Sequence, residues 1–164
     1  MSTEAIAMAG SAITFTIPGP PQGKGRARVG KVAGHARMFT PAKTVAYESL
    51  IALAAAQAMH GRPPLIGPIA CHVEAIFAVP ASWAKAHRDD ALAGRIYPTC
   101  KPDADNVLKA IGDGCNGVIW ADDSRIVSSS IVKLYGPTPM VRVYVAPMVG
   151  RMTAEQAEAA EVAA

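Results

Sequence analysis

Apolar side chains fall on every second position of one long run, Ile69, Cys71, Val73, Ala75, Phe77 and Val79, which ends at Pro80. A period of two predicts a half-buried strand with His72 and Glu74 on the opposite face, His72 in a structural role. Ile13 to Ile17 alternates in the same way and runs into Pro18-Gly19-Pro20-Pro21, so a first strand ends in a turn. Between these strands the period changes. Tyr47, Leu50, Ile51, Ala54 and Ala58 recur at helical spacing behind Thr40-Pro41, an N-cap residue followed by proline at the first helical position. That helix should stop at Gly61, ahead of Pro63-Pro64.

A second, shorter helix is expected from Asp105 to Asp113, burying Val107, Leu108 and Ile111 and fraying at Gly112-Asp113-Gly114. Val118-Ile119-Trp120, a turn at Asp122-Asp123, and Ile126 to Leu134 read as a hairpin, and Met140 to Val145 as a final strand. Residues 23–39 read as a loose hairpin or loop, and the polar run 82–101 as a mobile loop. The order β, α, β, α, β, β gives an α/β (α+β) fold with one mixed sheet covered by two helices. The expected boundaries are a flexible 1–12, a single domain over 13–147, and an Ala/Glu-rich tail over 148–164.

Composition narrows the setting. Cys71, Cys100 and Cys115 are odd in number and widely spaced, so neither a disulfide framework nor a zinc knuckle is readable, and a reducing cytoplasm is expected. The first residues carry Glu4 and no basic n-region, and the most apolar stretch, Leu50 to Ala58, is too short to span a bilayer, so no membrane partner is expected. The net charge of +3 hides a strong asymmetry. Between Ala5 and Tyr47 there is no acid, while Lys24, Arg26, Arg28, Lys31, Arg37 and Lys43 are all basic; from Asp103 to Asp123 five aspartates face Lys109 alone. A basic arm beside an acidic pocket suits a polyanion held by its phosphates while cations occupy the carboxylates.

The acids carry the chemistry. Two carboxylates about 4 Å apart repel by roughly 4 kcal/mol at a surface-like effective dielectric, so a cluster needs wide spacing or a bound cation. Oxygen-only ligands favour a hard ion such as Mg²⁺, with Mn²⁺ as a substitute. Taken alone, Asp103 and Asp105 at a helix start serve capping and the dipole, and Asp122-Asp123 is a common turn pair. Together, a helix N-terminus and a turn can supply ligands from separate elements, with Lys109 on the same helical face as Asp105. Competing motifs fail on spacing. Gly19 to Gly25 is one residue short of a phosphate-binding P-loop and has Gly where Ser or Thr must bind magnesium. Asp103-Ala104-Asp105 follows a loop rather than the buried strand an aspartyl-phosphate phosphatase would need, and Cys71-His72 with Cys100 or Cys115 lacks metal-ligand spacing.

Lys101-Pro-Asp-Ala-Asp105-Asn-Val-Leu-Lys109-Ala, then Asn116-Gly-Val-Ile-Trp120-Ala-Asp-Asp123-Ser, then Lys133, resembles the RusA family of Holliday junction resolvases. Gly23-Lys-Gly-Arg26-Ala-Arg28 and Thr40-Pro41 through Tyr47-Glu48 are similar to its phage-type members, and the likeness runs in order over Ile13 to Val145. The resemblance implies a homodimeric, metal-dependent endonuclease that resolves four-way DNA junctions by paired nicks. By motif it makes Asp103, Asp105 and Asp123 the metal-binding catalytic acids, Asp122 a neighbouring ligand, and Lys109 the catalytic lysine. Lys24, Arg26, Arg28, Lys31, Arg37, Lys101 and Lys133 would contact branched DNA. Other readings are a catalytically silent DNA-binding dimer and a hydrolase of small phosphate esters. Residues 82–95 are longer than in the shortest family members.

Overall fold

Ile13, Phe15 and Ile17 are buried while Thr14 and Thr16 are exposed, so the first strand, β1 (Ile13–Pro18), obeys the period read from its sequence. The computed structural model describes residues 12–25, 28–32 and 35–148; the expected flexible start and the Ala/Glu-rich tail lie outside these apart from positions 12 and 148. After β1 come β2 (Arg28–Val32) and β3 (His35–Phe39), then α1 (Ala42–Met59) and β4 (Ile69–Ala78). The chain continues through α2 (Lys85–Leu92), α3 (Ala104–Cys115), a 3₁₀ turn (Asp123–Arg125), β5 (Ile126–Gly136) and β6 (Met140–Pro147). Four strands form one mixed sheet in the order β1-β6-β4-β5, and β2 and β3 form a separate antiparallel hairpin in the basic segment.

The sheet differs from the expected chain of hairpins. Residues 118–120 do not pair with β5; Trp120 instead bridges Leu65, whose N–H donates to the Ile119 carbonyl at 2.7 Å. Its indole is fully buried and donates to Asn116 Oδ1 at 2.9 Å, which leaves the large apolar body free to fill the core at no polar cost. β5 lies parallel to β4, with Cys71 opposite Ser129 and Ala75 opposite Lys133. A parallel neighbour needs a long crossover, and α2 and α3 supply it. β6 inserts between β1 and β4, antiparallel to both, with Val143 opposite Phe15 and Val73.

Among the described residues, three helices stand where two were expected. The additional one, α2, buries only Ala91, so its sequence offers no apolar stripe to read as a helix. It is held by Trp83, whose ring packs edge-on against Tyr135 at 5.3 Å and His87 at 4.1 Å, and by a Lys85–Asp89 ion pair one turn apart at 2.6 Å. α1 begins one residue later than its capping signal implied, with Pro41 in the N-cap position and no side-chain cap, and ends through a left-handed His60. α3 continues two residues past Asp113, because its glycines are packing positions. A side chain at Gly114 would lie 2.7 Å from Ile51 Cβ and 3.2 Å from the Glu48 carbonyl, so glycine lets α3 cross close to α1. That contact outweighs a helical glycine's cost of about 1 kcal/mol.

The core lies between the sheet and these two helices: Tyr47, Ile51, Ala55 and Met59 from α1, and Val107, Ala110, Ile111 and Cys115 from α3, meet the inward residues of β1, β4 and β6. On the opposite face of β4, His72 lies 2.7 Å from Ser130 Oγ, and Glu74 accepts from Tyr144 at 3.2 Å and Arg142 at 3.4 Å, so both are tied into a polar lattice across the sheet. Among the described residues, no helix is long and apolar enough to cross a membrane.

Candidate nucleic-acid interface and acidic row

The motif residues are arranged along α3. Its buried positions, Val107, Ala110, Ile111, Gly114 and Cys115, fix one face against the core, and that rotation leaves Asp105, Lys109 and Asp113 together on the outer side. Asp103 sits at the N-cap in extended backbone and makes no side-chain cap bond, so its carboxylate is not spent on the helix. Asp105 accepts from Lys109 Nζ at 3.4 Å, with both side chains about two-thirds exposed. An exposed pair of this kind contributes at most about 0.5 kcal/mol, so it does not hold either group in place against a better partner.

Asp123 arrives from the turn before β5. Its carboxylate stands beside Gly112 of α3, where a Cβ would lie 3.8 Å from Oδ2. Together with Lys109, Gly112, Cys71 and Ser129 it lines a cleft of about 230 Å³. Asp122 is turned to local work: its carboxylate accepts from the Ser124 N–H at 2.9 Å and caps the 3₁₀ turn. Hydrogen bonds from Ser124 hold it below the usual carboxylate range.

A second, larger groove of about 670 Å³ opens at the N-terminal end of α3, lined by Lys24, Lys43 and Lys101 with Gly23, Asn106 and Asp103. The chain before β2 is clamped onto the helix there. Lys24 N–H donates to the Asn106 carbonyl at 2.9 Å, and Gly25 N–H donates to the buried Thr44 hydroxyl at 3.2 Å. Any side chain at Gly23 would come within 2.9 Å of Asn106 Cβ, and one at Gly25 would run into Thr44 Oγ1. The two glycines are therefore needed for close approach, and they let main-chain and lysine nitrogens line the groove.

Lys24 does more than line it. Its ammonium bonds the Asp113 carboxylate and lies 3.9 Å from Glu48 Oε1. The hydrogen bond to Asp113, helped by the charges of Glu48 and Asp123, raises its pKa above the ordinary lysine value. Lys133 donates to the Cys100 carbonyl and sits 5.1 Å above the Phe77 ring, bracing the segment that leads into Lys101 and Asp103. Arg26 lies outside the described residues, as do the side chains of Arg28, Lys31 and Arg37 on the β2–β3 hairpin.

Two acids of this surface stand outside the motif: Asp113, one turn beyond Lys109 on the same face and readable from sequence only as a helical partner of that lysine, and Glu48, one turn beyond Thr44 on α1. The i, i+4 spacing of Asp105, Lys109 and Asp113 was a usable signal for the first, whereas Glu48 joins only through the α1–α3 crossing. The donor set is all oxygen, which fits a hard divalent cation. Glu48 Oε1 is also sealed from solvent without a hydrogen-bond partner. Among the described residues, however, no three acidic, histidine or cysteine side chains gather closely enough to share an ion. The acids form a row instead: Gly112 lies seven positions beyond Asp105, roughly 10 Å of helical rise.

The model of the endodeoxyribonuclease RusA family matches residues 18–146. The chain is also 35% identical over 137 residues to the uncharacterized protein YqaN of Bacillus subtilis (strain 168), covering 81% of this chain and 94% of that one. The matched region runs from the end of β1 to β6 and takes in the clamp, the groove and the row.

Proposed function

Because the chain belongs to the RusA family of endodeoxyribonucleases, we propose that it is a structure-selective, Mg²⁺-dependent endonuclease that resolves four-way DNA junctions as a homodimer. The observation that carries this reading is the joining of two surfaces on one helix: a lysine-lined groove ends at Asp103, and the acidic row begins there. A phosphodiester held by Lys24, Lys43 and Lys101 would lie with its scissile bond toward Asp103 and Asp105.

In this reading Asp103, Asp105 and Asp123, with Asp122 as a neighbour, are the acids that would hold Mg²⁺ or Mn²⁺, and because Asp123 stands beside Gly112, roughly 10 Å of helical rise from Asp105, sharing one ion would require them to draw together. Bound there, the ion would polarise the phosphate and lower the pKa of a water. Lys109 stands next to Asp105 and can move its ammonium to the charge that develops on the phosphoryl oxygens. Lys133 positions the Cys100–Asp103 segment. The basic hairpin bearing Arg28, Lys31 and Arg37, with Arg26 ahead of it, extends the phosphate-binding surface, and a two-fold dimer offers two equivalent sites for opposed strands.

Labelled four-way junctions incubated with the protein in Mg²⁺ and in EDTA test the proposal, with Asp105→Asn alongside. Paired nicks are expected in Mg²⁺ only, and Asp105→Asn should bind without cutting. Binding without nicks by the natural sequence would favour a silent DNA-binding module, and turnover of a nucleotide ester would favour a small-molecule hydrolase. Replacing Lys24, Arg26 and Arg28 by alanine should weaken binding and flatten its dependence on salt.

A further inference from the structure

A second cluster stands outside the acids, and it is aromatic. Trp83 lies 4.1 Å from His87 and 5.3 Å from Tyr135, ring centre to ring centre, with interplanar angles of 63° and 67°. Each edge-to-face contact occupies at most one ring face, so flat surfaces are left over for a planar ligand. The core does not account for them: Trp83 and Tyr135 are half-buried, His87 is exposed, and α2 buries Ala91 alone. The charges around the rings suit an anion. Asp89 and Asp90 are already paired, with Lys85 at 2.6 Å and Arg95 at 2.5 Å, whereas the exposed Arg88 makes no ion pair among the described residues. Tyr135 and Lys133 share one face of β5, and Lys133 donates to the Cys100 carbonyl, three residues ahead of Asp103 and so at most about 11 Å of chain from it.

We propose that the cluster of Trp83, His87 and Tyr135 is a stacking platform for an unpaired DNA base, set close to the start of the acidic row, and that it makes the protein select branched over fully paired DNA. A base inside an intact duplex is stacked above and below and presents no free face. At a branch point that stacking is interrupted, and a base can lie on an aromatic ring instead. Arg88 then meets the phosphate that carries it. Every base has a flat π-face, so the platform reads the exposure of a base and not its identity. This inference rests on the endonuclease reading above and deepens it: the lysine groove binds any phosphate backbone, and α2 supplies the preference for structure.

The chain has two tryptophans and Trp120 is fully buried, so contact quenching of fluorescence by a bound base reports Trp83. The full chain in EDTA, which prevents cutting, is titrated with an oligothymidylate, a four-way junction and a blunt duplex of equal phosphate number. Affinities are followed by the anisotropy of a label on the DNA, with Trp83→Leu, Trp83→Phe and His87→Ala alongside. At saturation the oligothymidylate and the junction should quench Trp83, and the duplex should not. Trp83→Leu should lose about tenfold in affinity for the first two, the scale of one base–aromatic stack, and keep its duplex affinity. Trp83→Phe retains a ring and should stay within about threefold of the natural sequence. His87→Ala, at an exposed position, should move in the same direction as Trp83→Leu, which separates stacking from loss of α2. Equal quenching by the duplex, DNA binding without quenching, or a loss in Trp83→Leu that is the same on duplex as on junction would overturn the platform and leave the endonuclease reading standing. If no DNA binds in any arm, that reading and this inference fall together.

Discussion

The two ends of the sheet are built by different physics. On the β1–β6 side, Ile13, Ile17, Val141, Val143 and Val145 are at most 1% exposed, and order comes from closely packed apolar side chains. On the β5 side no residue before Gly136 is buried, and Val127 to Ser130 lie open to solvent. There the neighbouring α3 carries charges on its outer face, and what holds them is a set of exposed ion pairs and one clamped turn. A packed side tolerates little change in volume. A charged, partly open side contributes little stability, and its groups are free to exchange partners. The charged side chains of this fold are placed where burial is weakest.

That contrast predicts opposite outcomes for substitutions on the two sides. Asp123→Asn should reduce junction cleavage by at least about 10²-fold, the scale of losing a charge contact worth several kcal/mol in the transition state. Its urea midpoint should barely move, because the side chain belongs to an open cleft. Ile17→Ala should lose roughly 2–5 kcal/mol of stability by leaving a cavity, with cleavage per folded molecule unchanged. Urea unfolding and initial-rate cleavage on the same preparations check both. A large stability loss in the Asp123 variant would show that the acidic row is structural.

Gly114 is where the two regimes meet, since it sets the α1–α3 crossing that also brings Glu48 toward Asp113. Gly114→Ala should cost about 1–3 kcal/mol through overpacking against Ile51. It should also weaken the shared hold on Lys24 by moving Glu48 away. Unlike the previous pair, this variant should change both readouts, and a chemical-shift change at Lys24 Nζ would register the second.

What could be read from sequence divides along the same line. β1, β4, β6, α1 and α3 are periodic because one face of each is buried, and burial selects residue types. α2 has one buried residue and a polar surface, so its helical state comes from Trp83 docking on Tyr135, a contact no local pattern encodes. β5 was recognisable as a strand, but period two identifies a face and not a neighbour; its pairing with β4 is decided by the length of the crossover. The same holds at the site. Asp103, Asp105, Lys109 and Asp123 stood out through motif and composition, whereas the partnership of Lys24 with Asp113 and Glu48 joins residues far apart in the chain. Charge runs reveal which surface is basic or acidic, but only the packing of α1 on α3 reveals which lysine meets which acid.

The thiols locate the boundary between the two sides. Cys71 lines the cleft with Asp123, yet it is only 4% exposed, and burial pushes its pKa up to about 12. Cys115 is raised as well, by burial and by the neighbouring Cys71. A folded pKa above the unfolded one means that the stabilisation is complete below the unfolded value of about 8.5 and is lost as pH rises toward the folded value. Between pH 9 and pH 12 the unfolded chain releases a proton that folded Cys71 retains, so stability should fall by roughly 1 kcal/mol per pH unit from this group. Comparing urea midpoints at pH 8 and pH 10 for the natural sequence and Cys71→Ala isolates its share: the variant should lose less on going to pH 10. At pH 8, iodoacetamide should modify Cys100, which is exposed, and spare the two buried thiols. Rapid alkylation of Cys71 in the folded protein would mean that water from the cleft reaches β4, and that the packed side of the molecule ends one strand earlier than its burial indicates.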